Sequence, residues 1–381
     1  MIPYGRHKIF PEDITAVSEV LKEGFLTQGE QVPLFEKAVC DYTGANFAVA
    51  CNSGTSGLHA ACLAAGITTG DLVWTVPNSF VASANCARYC GADIDFIDID
   101  PKTRNLCVAK LFEKLQLAVA VNKLPKAIVV VHFAGSSCDM AAISSLTTQY
   151  GIVLIEDAAH ALGGADQYGN KVGLCKYSAM TVFSFHPVKS ITSAEGGMVL
   201  TNDEATATLL RRYISHGICR DNTLFDDNHK GEPWYYAQFE LGFNYRLSDI
   251  HAALGRSQLK HLDDFVLSRF TLAKRYDELL EGLPIVRPIL DAKSAWHLYM
   301  IEVSDKQRTS VFNLLRERGI GVNVHYIPIH LQPYYQRLGF VPKMFPNAES
   351  YYKRAVTLPL FPSLTSEQQD EVVRQLHEAI L

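Results

Sequence analysis

The chain has 381 residues, 48% of them hydrophobic and 20% charged, which is enough to bury a large core in two or three domains. Its formal net charge is −5, and no basic tract occurs, which argues against nucleic-acid binding. No apolar run reaches membrane length, and the first residues lack the apolar core of a signal peptide, so we expect a soluble cytoplasmic protein.

The nine cysteines are scattered through apolar and helical contexts. Their number is odd and no CxxC pair occurs, which is typical of reduced thiols in a cytosolic protein. We therefore predict neither disulfides nor a metal site.

Two amphipathic helices are predicted first, one beginning at residues 11–13 and ending at Gly24, the other over residues 32–42. Strands then alternate with helices, which predicts an α/β fold with a mostly parallel sheet. The predicted strands are residues 47–50, 72–76, 93–97, 127–132, 152–155, 181–185 and 198–201.

A small, polar turn, CNSGTSG, joins the first predicted strand to the helix that follows it. The backbone N–H groups and hydroxyls of such a turn can bind an anion at the helix N-terminus. Gly54, Thr55 and Ser56 are therefore candidates for binding a phosphate.

An acidic residue follows the apolar run at 152–155, where α/β proteins bind their ligands. Asp157 would lie at the carboxyl end of that strand. His160, three residues later, either hydrogen-bonds Asp157 and orients it or is an ordinary core histidine.

A lysine lies in the loop between the predicted strands at 181–185 and 198–201. Pro187 ends the first strand, and small residues lead to the flexible pair Gly196 and Gly197. Partial burial would lower the pKa of Lys189 and free its amine as a nucleophile, whereas an isolated loop lysine is usually solvated. A phosphate cradle, a strand-end aspartate and this lysine together suit pyridoxal 5′-phosphate, which needs an amine for its aldehyde and a carboxylate for its pyridine nitrogen.

Three segments, FSFHPVKSITSAEGGMVLTND, EDAAHA and GFNYRLSDIHAALG, resemble the DegT/DnrJ/EryC1/StrS sugar aminotransferases. The resemblance covers nearly the whole chain. It implies the fold-type I aminotransferase fold: a large domain with a seven-stranded, mostly parallel sheet and a smaller C-terminal α+β domain. We place an N-terminal arm and the large domain at residues 1–250, and a linking helix and the small domain at 251–381.

The resemblance also implies roles for single residues. Phe80 would lie flat against the pyridine ring, and Ser184 would donate its hydroxyl to the phosphate. Asn244 would cross a homodimer interface to the partner's cofactor phosphate, so that the active sites are shared; otherwise it is a turn or cap residue. Lys189 and Asp157 would be the catalytic residues.

Residues that contact the substrate are predicted in both halves of the chain. For each of them the alternative is an ordinary turn, core or surface residue. A long polar segment, residues 220–236, is predicted to be a lid. Arg220 and Lys343, together with two of the histidines, are candidates for binding a diphosphate. The substrate-binding candidates are Tyr4, Thr27, Gln28, His186, Glu195, His325, Tyr326 and His330.

The segments HYIPIHLQPYYQRLGF and FPNAESYYKRA resemble the branch of the family that acts in pseudaminic acid biosynthesis. The predicted reaction moves an amino group from L-glutamate, which becomes 2-oxoglutarate, to C4 of a UDP-4-keto-6-deoxy-N-acetylhexosamine, with pyridoxamine 5′-phosphate formed on the way. A 3-keto sugar or GDP-4-keto-6-deoxymannose is an alternative acceptor. Two other readings are less favoured: a sugar 3-dehydratase, because that branch replaces the lysine by histidine, and a cofactor-bound regulator, because no DNA-binding segment is present.

Overall fold

The computed structural model describes residues 1–381, and its first half alternates between helices and strands. The apolar, β-branched runs form the strands, and the segments with helical periodicity form the helices between them. In chain order these elements are α1 (Pro11–Glu23), α2 (Gln31–Thr43), β1 (Phe47–Cys51), α3 (Gly54–Ala64), β2 (Leu72–Thr75), α4 (Ala82–Tyr89), β3 (Asp93–Phe96), α5 (Val108–Ala120), β4 (Ala127–Val131), α6 (Met140–Thr147), β5 (Val153–Asp157), β6 (Met180–Ser184), β7 (Gly197–Thr201) and α7 (Glu204–Tyr213).

Seven strands form one sheet in the order β1-β7-β6-β5-β4-β2-β3. All neighbours are parallel except β7, which is antiparallel to both β1 and β6. The interior strand β4 is buried at all five positions, as expected where helices cover both faces of a sheet. The predicted seven-stranded, mostly parallel sheet is therefore confirmed.

The antiparallel strand β7 brings two distant loops together. Gly197 is paired with Cys51 of β1 on one side and with Ser184 of β6 on the other. A Cβ atom at Gly197 would lie 2.4 Å from the backbone oxygen of Ser53, closer than atoms can approach. Glycine is required here because the turn before α3 packs directly on β7.

The second half of the chain is mainly helical, with two short antiparallel strand pairs. Helical periodicity over residues 247–280 predicts a helix with a break near 260–263, and this break is present, since α8 ends at Leu259 and α9 begins at Leu262. The elements are β8 (Ile218–Cys219), β9 (Ala237–Gln238), α8 (Asp249–Leu259), α9 (Leu262–Leu279), β10 (Tyr299–Glu302), α10 (Arg308–Glu317), α11 (Pro333–Gln336), α12 (Pro346–Arg354), β11 (Ala355–Leu358) and α13 (Ser366–Ile380).

A separate apolar core lies in this half, where β10 and β11 pack with α9, α10 and α13. Helix α8 packs on α1 and α2 instead, so it is attached to the first part of the chain. The predicted division at residues 250 and 251 stays a prediction. No helix is both long enough and apolar enough to cross a membrane.

Candidate active site

A cavity of about 500 Å³ lies at the carboxyl ends of β5 and β6. It is bounded by the N-terminus of α3, by the loop after β6 and by residues 323–326 of the second half. Most of the predicted site residues line this one cavity, namely Tyr4, Gly54, Thr55, Phe80, Asp157, His160, Ser184, His186, Lys189, Glu195, His325 and Tyr326.

Lys189 reaches the cavity from the loop after β6. Its backbone N–H donates to the carbonyl of His186 (2.9 Å), which closes the turn begun at Pro187. Burial lowers the pKa of the half-buried Lys189 amine from 10.5 to about 8, against the opposing effect of the negative charge on Asp157. A substantial fraction of the amine is therefore neutral near pH 8 and available as a nucleophile.

Asp157 is the last residue of β5 and is 6% exposed. Ser83 Oγ donates to Oδ2 (2.6 Å), and the Ala159 N–H donates to Oδ1 (3.2 Å). A second hydroxyl, Ser79 Oγ, lies 2.6 Å from Ser83 Oγ. Neutral donors thus orient the carboxylate, which leaves it able to bind a protonated group of a ligand.

His160 does not hydrogen-bond Asp157, which was one of its two predicted roles. Its Nδ1 accepts from the Ala134 N–H (3.3 Å), which places the ring proton on Nε2, 3.0 Å from the Tyr326 hydroxyl oxygen. Burial, and then the positive charge of Lys189, hold its pKa well below the usual range, so the imidazole is neutral. His160 therefore positions Tyr326, and the Asp157 carboxylate accepts its side-chain hydrogen bond from Ser83 instead.

Neutral imidazoles form the wall opposite the sheet. Burial lowers the pKa of His325 to about 3, with the charge of Lys189 as the second cause, and its Nδ1 lies 2.8 Å from Thr357 Oγ1. The ring of His297 lies 4.3 Å from that of His160, centroid to centroid. This wall offers hydrogen bonds without charge, which suits a sugar better than a diphosphate.

The turn before α3 forms a cradle of backbone groups at the helix N-terminus. Ser53 caps the helix by accepting from the Ser56 N–H (3.1 Å). A Cβ at Gly54 would lie 2.9 Å from Ser184 Cβ, so glycine keeps the cradle open toward Ser184. Ser56 is a correction to the prediction: its hydroxyl donates to Asn52 Oδ1 (2.7 Å), and the side chain is buried away from the cavity.

Four further predictions fall outside the cavity lining. His330 is fully buried, with Nε2 3.0 Å from Glu349 Oε1, so its predicted substrate contact is wrong. Thr27 and Gln28 lie on an exposed turn, which the Asp249 carboxylate holds by accepting from the N–H groups of Gly29 and Gln31 (both 2.8 Å). Asn244 is exposed on the outer side of the segment that pairs with β1.

The predicted lid and diphosphate residues also lie elsewhere. Residues 220–236 connect the short paired strands β8 and β9, and none of these residues lines the cavity. The Arg220 guanidinium packs over the Tyr236 ring (5.4 Å), and Lys343 is exposed. The structure supplies no cation from these residues to the site of this chain.

Sequence reasoning missed two residues of the site, Ser83 and His297. A serine pair spaced four apart at the start of a helix, Ser79 and Ser83, was a usable signal for the first. For His297, nothing in the local pattern distinguishes it from a core residue at the start of a strand.

Comparison with known proteins agrees with the fold. The DegT/DnrJ/EryC1/StrS aminotransferase family matches residues 7–377. The spore coat polysaccharide biosynthesis protein SpsC of Bacillus subtilis (strain 168) is 37% identical over 388 residues, which cover 100% of this chain and 97% of SpsC.

Two solved structures extend this similarity. Helicobacter pylori PseC, an aminotransferase involved in the biosynthesis of pseudoaminic acid, has a TM-score of 0.89 at 33% identity, covering 100% of this chain and 99% of PseC. Streptococcus pneumoniae Spr1654, solved in its PMP form, has a TM-score of 0.90 at 26% identity, with coverage of 100% and 99%. From the family match over nearly its whole length and from SpsC, this chain belongs to the DegT/DnrJ/EryC1/StrS aminotransferase family.

Proposed function

We propose that this protein is a pyridoxal 5′-phosphate-dependent aminotransferase that moves the amino group of L-glutamate to C4 of a UDP-4-keto-6-deoxy-N-acetylhexosamine. One observation carries the proposal: the Lys189 amine, with its lowered pKa, opens into the same cavity as the buried Asp157 carboxylate and the N-terminus of α3. Spr1654, a structural neighbour, has been solved in both PLP and PMP forms, which supports the cofactor.

The residues of the cavity fit this cofactor. Gly54 and Thr55, at the positive end of α3, and the Ser184 hydroxyl would bind the phosphate. Asp157 would bind the protonated pyridine nitrogen, and Phe80 would cover the ring. When bound, the cofactor supplies an electron sink for the negative charge that develops on the donor's α-carbon.

Lys189 has two tasks in this reaction. Its neutral Nζ would bind the cofactor's aldehyde carbon and give up that place to L-glutamate. The same amine would take a proton from the α-carbon of L-glutamate and, in the second half-reaction, would deliver a proton to C4 of the sugar. A pKa near 8 suits both directions, because the protonated and neutral forms are both populated around neutral pH.

The acceptor is inferred from PseC and from the neutral wall of the cavity. PseC acts in pseudoaminic acid biosynthesis, and its structure aligns with this chain over its whole length. Tyr326, held by His160, and the imidazole of His325 can hydrogen-bond sugar oxygens without a net charge. SpsC, a protein of spore coat polysaccharide biosynthesis, favours a second candidate: another keto sugar nucleotide, such as a 3-keto sugar or GDP-4-keto-6-deoxymannose.

The proposal is tested with ¹⁵N-labelled L-glutamate and a panel of these keto sugar nucleotides. We expect ¹⁵N at C4 of the UDP-linked N-acetylhexosamine, detected by NMR, and none with Lys189→Arg. Label on another sugar of the panel would replace the proposed acceptor by the second candidate. Absence of 2-oxoglutarate with every acceptor would overturn the aminotransferase assignment.

A further inference from the structure

A second, much smaller cavity borders the loop that carries Lys189. Its volume is about 10 Å³, roughly the space that one water-sized particle fills. Three parts of the chain meet there: the N-terminal residues 6–8, the loop at residues 187–192, and the helices α8 and α9, which contribute Gln258 and Arg269. The cavity can therefore hold one small particle between the loop and these helices.

Arg269 is the most deeply buried charge at this cavity. The residue is 1% exposed, and burial lowers its pKa only to about 10, so the guanidinium stays protonated at neutral pH. Its Nη1 donates to the backbone carbonyls of Leu360 (2.9 Å), His297 (3.3 Å) and Trp296 (3.4 Å), and no carboxylate pairs with the side chain. Buried charges in proteins are paired as a rule, so this guanidinium lacks a counter-ion within the chain.

Two buried hydrogen-bond donors at the cavity have no partner. Arg269 Nε makes no hydrogen bond, and neither does the Ser190 hydroxyl, although both atoms are buried. Both residues line the cavity, and both of these groups can donate. The arrangement therefore calls for an acceptor that both donors reach.

The charges around the cavity favour an acceptor that is negative. Asp13 contacts the lining residue Gln258, with Oδ2 2.5 Å from Gln258 Nε2, but it also accepts from the Phe10 N–H (2.9 Å) and does not line the cavity. Residues 6–8 are exposed, so their positive charges attract anions from solvent. No acidic residue lines the cavity, whereas four basic ones do: Arg6, Lys8, Lys189 and Arg269.

We propose that this cavity binds a monatomic anion, chloride in ordinary buffers, between the Arg269 guanidinium and the Ser190 hydroxyl. Chloride accepts from both donors and supplies the missing negative charge, whereas a water molecule would satisfy the donors and leave the charge unpaired. Phosphate and other polyatomic anions are too large for a cavity of this volume. The bound ion joins the Lys189 loop to α9, and Arg269 in turn holds the backbone of His297 in the wall of the active site.

The direct test replaces chloride by bromide, which scatters X-rays anomalously. Crystals of the full-length protein with pyridoxal phosphate are soaked in sodium bromide, and data are collected at the bromine absorption edge. We expect an anomalous peak within hydrogen-bond distance of both Arg269 Nε and Ser190 Oγ. Density at this position without an anomalous signal, as a water molecule would give, would overturn the proposal.

A measurement in solution shows whether the anion binds outside a crystal. Thermal unfolding is followed while chloride replaces gluconate, which is too large for the cavity, at constant ionic strength. The Tm should rise with the chloride concentration and then level off, as for a ligand that binds only the folded protein. A Tm that does not depend on chloride would contradict the proposal.

Ser190→Ala and Ser257→Ala form a matched pair for this titration. The Ser257 hydroxyl is also buried and without a partner, but Ser257 does not line the cavity. Ser190→Ala should raise the half-maximal chloride concentration at least about tenfold, because a hydrogen bond to a charged group is lost. Ser257→Ala should leave it unchanged, and equal responses of the two variants would refute the contact with Ser190.

Discussion

At the residue scale, Asp157 acts through its charge and Ser83 through its position. Replacing Asp157 by Asn should keep the shape of the cavity but remove the negative charge that holds a proton on the cofactor's ring. We expect kcat to fall about 10²- to 10³-fold, the usual loss when one electrostatic contact of a transition state is removed. Steady-state kinetics and cofactor titration measure this, and near-normal kcat would refute the role.

Substitution of Ser83, which hydrogen-bonds Asp157, separates the effect of positioning this carboxylate from the effect of its charge. Its hydroxyl is 2.6 Å from Asp157 Oδ2 and lies outside the reacting atoms. Ser83→Ala should lower kcat about tenfold, the equivalent of one hydrogen bond to a charged group. An effect as large as that of Asp157→Asn would show that positioning, rather than charge, dominates.

The pH dependence of cofactor capture follows from Lys189. Burial lowers the pKa of this amine to about 8, so the fraction of nucleophilic, neutral amine rises as the pH rises toward 8. The rate constant of pyridoxal phosphate binding to cofactor-free protein should fall about tenfold for each pH unit below 8 and become constant above it. Stopped-flow absorbance measures the profile, and a rate still rising at pH 10 would contradict the lowered pKa.

The sequence was informative about residues that lie at strand ends. Asp157 and Lys189 were predicted because each follows within a few residues of the end of an apolar run. This pattern is local, so it does not depend on how the rest of the chain folds. Ser83 and His297 were missed because their roles depend on which helix and which loop pack onto β5, and 74 residues separate Ser83 from Asp157. The predicted substrate contact of His330 was wrong because its burial against Glu349 depends on the packing of α12, which a local sequence pattern does not show.

At the element scale, the close packing of β7 on the turn before α3 defines the phosphate cradle. A Cβ at Gly197 would lie 2.4 Å from Ser53 O and 2.6 Å from Gly54 N, so Gly197→Ala must displace the cradle. We expect the cofactor Kd to rise at least about tenfold, because overpacking of this kind costs roughly one to a few kcal/mol. Fluorescence titration with pyridoxal phosphate measures it.

Gly169→Ala is the control for this substitution. Gly169 has a left-handed backbone (φ 85°) with open space around it, so alanine there costs stability but leaves the cradle in place. Equal losses of cofactor affinity in the two variants would show that the Gly197 effect is general destabilisation.

Element order and type were largely predictable, because hydrophobic periodicity is local. Helical periodicity predicts a break near residues 260–263 and a last helix over residues 366–380. In the structure α8 ends at Leu259, α9 begins at Leu262, and α13 spans Ser366–Ile380. The pattern of residues 321–324 predicts a strand, but only Asn323 pairs with β11, at Thr357, before the chain turns to line the cavity. A short apolar run cannot reveal that its next residues are needed at a site.

At the scale of the whole molecule, a buried ion pair joins the two halves of the chain. Arg104, before α5, donates from Nη2 to Glu302 Oε1 of β10 (2.6 Å), and each side chain is 4% exposed. Glu302→Leu should lower the free energy of unfolding by about 3–5 kcal/mol, because it leaves the Arg104 guanidinium buried and unpaired.

Urea denaturation compares this variant with a surface pair. Asp41→Ala removes the exposed contact of Asp41 with Lys37 and should cost less than about 1 kcal/mol. Similar losses in the two variants would mean that the buried pair does not stabilise the junction.

Shared active sites in a homodimer remain a prediction that rests on Asn244, which is exposed and does not line the cavity of its own chain. If Asn244 completes the partner's site, mixed dimers of Lys189→Ala and Asn244→Ala subunits contain one site with both native residues. Mixing and reassociating the two inactive variants should restore about one quarter of wild-type activity. No recovery, with mixed dimers verified by mass spectrometry, would place Asn244 outside the site.

The most direct test of the whole account is to identify the residue that binds the cofactor. The purified protein is incubated with pyridoxal phosphate, its visible absorption band is recorded with and without L-glutamate, and the complex is reduced with borohydride and mapped by mass spectrometry. We predict a band that L-glutamate bleaches and a pyridoxyl group on Lys189 alone. A label on another lysine, or a band that L-glutamate leaves unchanged, would contradict the central claim.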